Sequence, residues 1–133
     1  MKPAESESEI QQLIQVEAVK ENCVLMRNNS GAFRDVGGRH VRYGLMNISK
    51  KQNEKIKSSD LIGVTEVLVT EEMVGKTLGV FTAVEVKPPG WTLVPKDQRG
   101  HAQLAFIEWV KKKGGIAGFA TSVEEFKELV NEF

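Results

Sequence analysis

Two rhythms of apolar residues run along this chain. From about Ser6 to Glu21, Ile10, Leu13, Ile14 and Ala18 recur at helical spacing, which predicts an amphipathic helix with that stripe inward. Asp97 to Lys113 carries a second such pattern, Ala102, Ala105, Phe106, Trp109 and Val110, and Gly114-Gly115 ends it. A third follows Ser122, which with Glu125 makes a capping box ahead of Val123, Phe126, Leu129 and Val130, all expected inward. Between the helices the rhythm shortens. Cys23–Arg27 (CVLMR), Leu61–Val69 (LIGVTEVLV), Leu78–Val86 (LGVFTAVEV) and the IAGFA after Gly115 read as strands, the two long ones joined by a connection around Met73 to Lys76. The turn-rich NNSG follows the first strand, and GGRHVRYGLMNIS reads as a strand between glycines leading to a basic loop. A helix, several strands, then helix–strand–helix, with no repeats and no low-complexity linker, predicts one α/β domain over residues 1–133. Its expected architecture is a mixed β-sheet flanked by α-helices.

Composition narrows the class. The chain has 133 residues with 41% hydrophobic content, enough for one globular core. No apolar run approaches the roughly 20 residues of a membrane span, and the opening MKPAESESEIQQ lacks the apolar segment of a signal peptide. A single cysteine, Cys23, excludes an intrachain disulfide and a Cys-rich metal site, so a cytoplasmic setting is expected. The 18 basic and 18 acidic residues balance, which by itself argues against a nucleic-acid partner. Their distribution changes that. Between Arg34 and Lys57, seven Lys or Arg stand against Asp35 and Glu54, while acidic residues gather near the N-terminus, around Glu66–Glu72 and at the C-terminal helix. Such asymmetry either forms a basic face that follows phosphates or is an ordinary solvated loop.

The run TAVEVKPPGW, Thr82 to Trp91, carries the candidate chemistry. Glu85 and Lys87 interrupt an apolar strand and point to the same face, while Val84 and Val86 point to the other. Partly burying either charge costs several kcal/mol unless an ion or partner compensates it. Asp60 opens the neighbouring apolar run. If the two long strands pair, as sequential strands usually do, two carboxylates and a lysine meet at one sheet edge. That set suits a hydrolytic magnesium site, since Mg²⁺ prefers carboxylate oxygens and retains waters and a substrate phosphate.

Asp60 followed by Glu85-Val86-Lys87 resembles the D…(E)XK core of the PD-(D/E)XK nuclease superfamily. Together with SESEIQ at the start, RNNSG after the first strand, SDLIGV, VEVK, a glutamine on the following helix and GGIAGFATSVEEF near the end, the chain is similar to the VRR-NUC domain from about Ser6 to Phe126. The resemblance implies a restriction-endonuclease-like mixed sheet and a Mg²⁺- or Mn²⁺-dependent DNA endonuclease of the stand-alone phage or bacterial type. It also implies a homodimer acting on branched DNA such as Holliday junctions. Asp60 and Glu85 match the metal-binding carboxylates, with the Val86 carbonyl as a third ligand; Lys87 matches the catalytic lysine and Gln103 the helix glutamine. Glu7 is the best match to the glutamate of the first helix, ahead of Glu9 and Glu17. The chain departs from the family in having Lys57-Ser58-Ser59-Asp60 where a Gly-X-Pro-Asp turn is usual. Arg27, Asn28, Lys50, Lys51 and Lys55 are the candidate DNA contacts.

Each position has a plainer reading. Glu85 and Lys87 can form a structural ion pair, Asp60 can cap a turn, and Gln103 can face solvent, being off the Phe106–Trp109 stripe. Glu7 suits any helix N-terminus, Asn28 can satisfy backbone groups, and Trp91 is expected as a lid over the core. His40 and His101 have no zinc spacing. The rival functional class is a catalytically inactive DNA-binding or packaging module on the same fold.

Overall fold

A computed structural model describes residues 6–132. The chain divides into two compact units, the first ending at Thr65 and the second beginning at Glu66. Both mix helix and strand.

In the first unit, Glu7–Lys20 forms α1, started by Ser6, whose Oγ accepts the Glu9 N–H at 3.1 Å. The apolar stripe expected inward is not the face that docks. Ile10, Leu13 and Ile14 are exposed, whereas Ala18 is buried beside the half-buried Gln11 and Gln15. The reason lies in the turn after the helix. Asn22 adopts φ 56°, and Cys23–Arg27 (β1) begins at once, so a two-residue link sets the rotation of α1 about its axis. Gln15 Nε2 then donates to the Leu25 carbonyl at 3.1 Å.

β1 pairs antiparallel with Leu61–Thr65 (β4), from Cys23 opposite Thr65 to Arg27 opposite Leu61. Gly63 is required within this ladder, because a Cβ there would overlap the Val24 carbonyl. The register explains why β4 stops short of the expected Val69: β1 begins only at Cys23, leaving Glu66 onward without a ladder partner, and Val67, Leu68 and Val69 are exposed. The basic segment holds more structure than expected. Gly31–Arg34 (β2) and His40–Tyr43 (β3) make an antiparallel hairpin, closed by Asp35, whose Oδ1 accepts the Arg39 N–H at 2.8 Å. One helical turn, Lys50–Asn53 (α2), follows, capped by Ser49.

The second unit is a strand–helix–strand crossover with one more helix. Thr82–Val86 (β5) pairs parallel with Ile116–Ala120 (β6), in register from Thr82 opposite Ile116 to Val86 opposite Ala120. Sequential pairing of the two long apolar runs is therefore replaced: β4 pairs with β1, and β5 with β6. β6 supplies five positions, so the Leu78–Phe81 part of the expected strand remains outside the ladder.

Gln98–Lys112 forms α3, with Asp97 Oδ1 accepting the Gly100 N–H at 2.8 Å and Gly114 at φ 93° after its end. Its buried face is Gly100, Ile107 and Val110, with Gln103 and Leu104 half-buried. The expected stripe was rotated from this by part of a turn, and Ala102, Ala105 and Phe106 face solvent. Ile107 and Val110 pack with Ala83 and Ala117 on one face of the β5–β6 pair. Successive strand side chains alternate faces, so Gly118, against which Leu129 packs, opens the other face to Val123–Asn131 (α4). Val123 and Phe126, expected inward, are exposed. The capping box is shifted by one residue. Ser122 Oγ accepts the Glu125 N–H, but the Glu125 carboxylate reaches the Thr121 N–H at 2.7 Å and the Thr121 hydroxyl. These bonds hold the Glu125 carboxyl below its ordinary range.

Among the described residues no helix is long and apolar enough to cross a membrane.

The rotated face of α3 makes a discriminating prediction. Ile107→Ala is expected to destabilise the fold by about 3 kcal/mol through cavity formation. Phe106→Ala removes an exposed ring that stacks on Trp109 and should cost about 1 kcal/mol or less. Chemical denaturation of both variants measures this; a larger loss for Phe106→Ala would restore the stripe read from the sequence.

Candidate functional site

Four of the sequence-selected positions lie in the second unit: Glu85, Val86, Lys87 and Gln103. Glu85 is the fourth residue of β5, half-buried, and in register with Phe119 of β6. The Lys87 amide donates to the Ala120 carbonyl at 3.0 Å and the Phe81 carbonyl accepts the Ile116 N–H at 2.9 Å, so odd-numbered residues of β5 turn their peptide groups toward β6. The Val86 carbonyl therefore points to the edge of β5 away from β6, outside the ladder.

Gln103 belongs to the half-buried face of α3 and comes over β5. Its Nε2 donates to Glu85 Oε1 at 2.8 Å, which fixes one carboxylate oxygen and leaves the other unengaged. Because a carboxylate only accepts, the amide orientation follows, and Gln103 Oε1 is left buried without a partner. A buried amide oxygen without a donor costs on the order of 1–3 kcal/mol. The solvent-facing reading of Gln103 does not hold.

Glu85 and Lys87 share a face but make no ion pair. The Lys87 ammonium lies 5.1 Å from the centre of the Trp91 ring and 5.9 Å from that of Phe119, and the two rings meet at 4.7 Å and 45°. The half-buried lysine is thus held by ring quadrupoles rather than by a carboxylate. Trp91 is more than a lid: its ring forms the platform under Lys87. Glu85 and Gln103 line an open cleft of about 330 Å³ between β5 and α3, together with Arg99, Ala102 and Phe106. Arg99 was not selected from the sequence, although it stands four residues before Gln103 and therefore one turn along the same helix.

The other candidates lie in the first unit. Asp60 is exposed just before β4; its carbonyl accepts the Asn28 N–H at 2.9 Å, and its side chain lines a cavity of that unit with Arg42, Asn47, Asn53 and Lys57. Asn28 is committed to architecture. Its Nδ2 donates to Ser58 Oγ at 2.7 Å and to the Ser59 carbonyl at 2.9 Å, while its Oδ1 accepts the Leu45 N–H at 3.4 Å. Arg27 is exposed at the end of β1, and Lys50, Lys51 and Lys55 are exposed on and after α2. Glu7 is exposed in the first turn of α1, as is Glu9, and Glu17 pairs with Lys20 at 3.2 Å. Of the histidines, His101 Nε2 lies 3.2 Å from the Val94 carbonyl and His40 is exposed on β3.

Among the described residues no group of three or more His, Cys, Asp or Glu is placed to hold a metal ion. The donor set still fits a hard cation, since Mg²⁺ is commonly bound through one or two carboxylates and completes its shell with waters and phosphate oxygens. The free Glu85 oxygen and the edge-facing Val86 carbonyl are of that kind.

The fold and site thus define an α/β protein with a half-buried Glu–Gln pair, an aromatic-held lysine and an open cleft on a parallel crossover unit. Comparisons with protein-family models, curated proteins and solved structures return no match.

The contact pattern predicts its own energetics. In metal-free double-mutant cycles, Glu85→Leu with Gln103→Leu should show a coupling of about 1 kcal/mol. Glu85→Gln with Lys87→Met should couple by less than about 0.5 kcal/mol. A strong Glu85–Lys87 coupling would reinstate the structural ion pair.

Proposed function

We propose that this protein is a Mg²⁺- or Mn²⁺-dependent DNA endonuclease with a VRR-NUC-like, PD-(D/E)XK type of core, acting as a homodimer on branched DNA in a phage or bacterial cytoplasm. The observation that carries the reading is the Gln103–Glu85 hydrogen bond beside a lysine that makes no ion pair. Glu85-Val86-Lys87 ends a strand, the next helix brings a glutamine over the carboxylate, and a parallel strand follows, the order that the resemblance requires.

In this reading the free Glu85 oxygen and the Val86 carbonyl would hold the metal ion, which would supply an acidified water and charge neutralisation at the phosphate; Asp60 matches the second metal-binding carboxylate by resemblance alone. Gln103 Nε2 holds the Glu85 carboxylate in one rotamer. Lys87 needs no carboxylate in the resting protein, so its three N–H donors are available to orient that water and to stabilise negative charge growing on the phosphate. Trp91 and Phe119 keep the ammonium in place while leaving those donors unspent. Lys50, Lys51, Lys55 and Arg27 contact DNA phosphates; the commitment of Asn28 to Ser58, Ser59 and Leu45 removes it from this group.

The rival, a DNA-binding or packaging module without catalysis, predicts full DNA affinity and no cleavage. A panel of labelled single-stranded, duplex, flap and four-way-junction DNAs, incubated with Mg²⁺, Mn²⁺ or EDTA, separates the two. Metal-dependent cleavage is expected, strongest on the junction. Asp60→Asn and Glu85→Gln should each abolish it while leaving the fold and most DNA binding intact. Activity retained in both amides at saturating metal places the chemistry elsewhere.

Lys87→Met should lower turnover by about 10²-fold or more while changing stability by no more than about 1–2 kcal/mol, the loss of its ring contacts. Thermal melts and cleavage rates from one preparation decide this; near-normal turnover with a large melting loss would make Lys87 purely structural.

A further inference from the structure

The cavity of the first unit, about 410 Å³, has a polar lining whose groups divide into two sets. One set is spent on architecture. Asn47 Nδ2 donates to the Gly31 and Tyr43 carbonyls at 2.7 and 2.8 Å, its Oδ1 accepts from Asn53 Nδ2 at 2.6 Å, and Ser58 Oγ donates to the Leu45 carbonyl at 2.7 Å. These bonds fix the loop between β3 and α2, in which Gly44 and Met46 hold φ values of 97° and 58°. Gly44 cannot be replaced there, since a Cβ would meet Ser30.

The other set is unspent. Arg42 is half-buried on β3 and makes no ion pair or side-chain hydrogen bond among the described residues. It shares a hairpin face with Ala32, its register partner, and with Arg34, whose guanidinium donates to the Gly38 carbonyl at 3.1 Å. Lys57 is exposed, and its ammonium has no partner among the described residues. Asp60 stands on the same lining. A guanidinium partly withdrawn from water with all its donors open is costly unless an anion completes it, and its planar fork matches a phosphate.

We propose that this cavity binds a nucleoside monophosphate unit, with the phosphate on Arg42 and Lys57 and a base or sugar donor on Asp60. Two cations against one carboxylate suit a single phosphoryl group rather than a triphosphate. The volume lies in the range of small-ligand sites. The same chemistry is presented by a free nucleotide and by one unit of a nucleic-acid strand. The inference stands on the first unit alone and does not require cleavage, although Asp60 is shared with the nuclease reading; it is therefore tested in EDTA by binding.

The probes are inorganic phosphate, deoxyadenosine, deoxyadenosine monophosphate and a short single-stranded deoxyoligonucleotide, titrated into the isotope-labelled full chain and followed by NMR. Deoxyadenosine monophosphate or the oligonucleotide should shift the Ala32, Leu45 and Asn53 amides and the Arg42 Nε–H. Deoxyadenosine should shift none of these, and phosphate should need about tenfold higher concentration. Saturation by the mononucleotide assigns a free nucleotide, and saturation by the oligonucleotide alone assigns a strand. Arg42→Gln should weaken binding about tenfold or more without lowering the melting temperature. Should Arg42→Gln fail to fold, Arg42→Lys keeps the cation without the fork and should still bind several-fold more weakly. Binding of deoxyadenosine equal to that of its monophosphate, no response to either nucleotide probe, or unchanged affinity in the Arg42 variant overturns the proposal.

Discussion

The half-buried carboxylate of Glu85 is the constraint around which the second unit is organised. A carboxylate among Ala83, Val84 and Phe119 must be hydrogen-bonded or neutralised, and α3 meets that demand with Gln103. The bond forms only because α3 turns its Gly100–Ile107–Val110 side to the sheet, which carries Gln103 inward with it. Gly100 is part of the same geometry: a Cβ there would collide with Leu93 and Asp97. The parallel register then sets Phe119 beside Glu85, and the Phe119–Trp91 pair receives Lys87. Carboxylate and amide thus hold each other while the ammonium rests on two rings, and no ion pair neutralises the carboxylate. That leaves a half-buried carboxylate with one oxygen unengaged among the described residues beside an open cleft, a costly arrangement for a purely structural element and a natural one for a ligand site.

The first unit reaches a similar state by a different route. Its hairpin and short helix have too little apolar area to fix their loops, and an amide network does so instead: Asn28, Asn47 and Asn53 tie Gly31, Tyr43, Leu45, Ser58 and Ser59 together. Such a network is worth having only when nearly every member is satisfied. The exception, Asn53 Oδ1, lies where Arg42 and Lys57 are also without partners.

Much of this was legible in the amino-acid sequence. The strands Cys23–Arg27 and Ile116–Ala120, the limits of α1 and α3 to within a residue or so, and the Ser122 cap follow from local signals: period, capping residues and glycine stops. The placement of Glu85 and Lys87 on one face follows from strand alternation. The ends of β4 and β5 were not legible, because a strand extends only as far as its partner, and the partners are β1 and β6. The hairpin within the basic segment was missed in part, since four-residue strands such as GAFR carry too little periodicity to register. Arg99 was missed as well, though its spacing from Gln103 was available.

By itself, then, the sequence determined the α/β class, the order of most elements and the presence of a charged interruption in a strand, since these depend on neighbours within a few residues. Only the tertiary structure decided which side of each helix faces inward. Apolar periodicity indicates that a helix has a buried side, but the rotation is set by short connections and by the shape of the sheet it meets. That rotation exposed Ile10, Leu13, Phe106 and Val123 and carried Gln103 to Glu85. It also left Lys87 to the rings of Trp91 and Phe119, a contact between residues distant in sequence that the parallel pairing of β5 and β6 brings together.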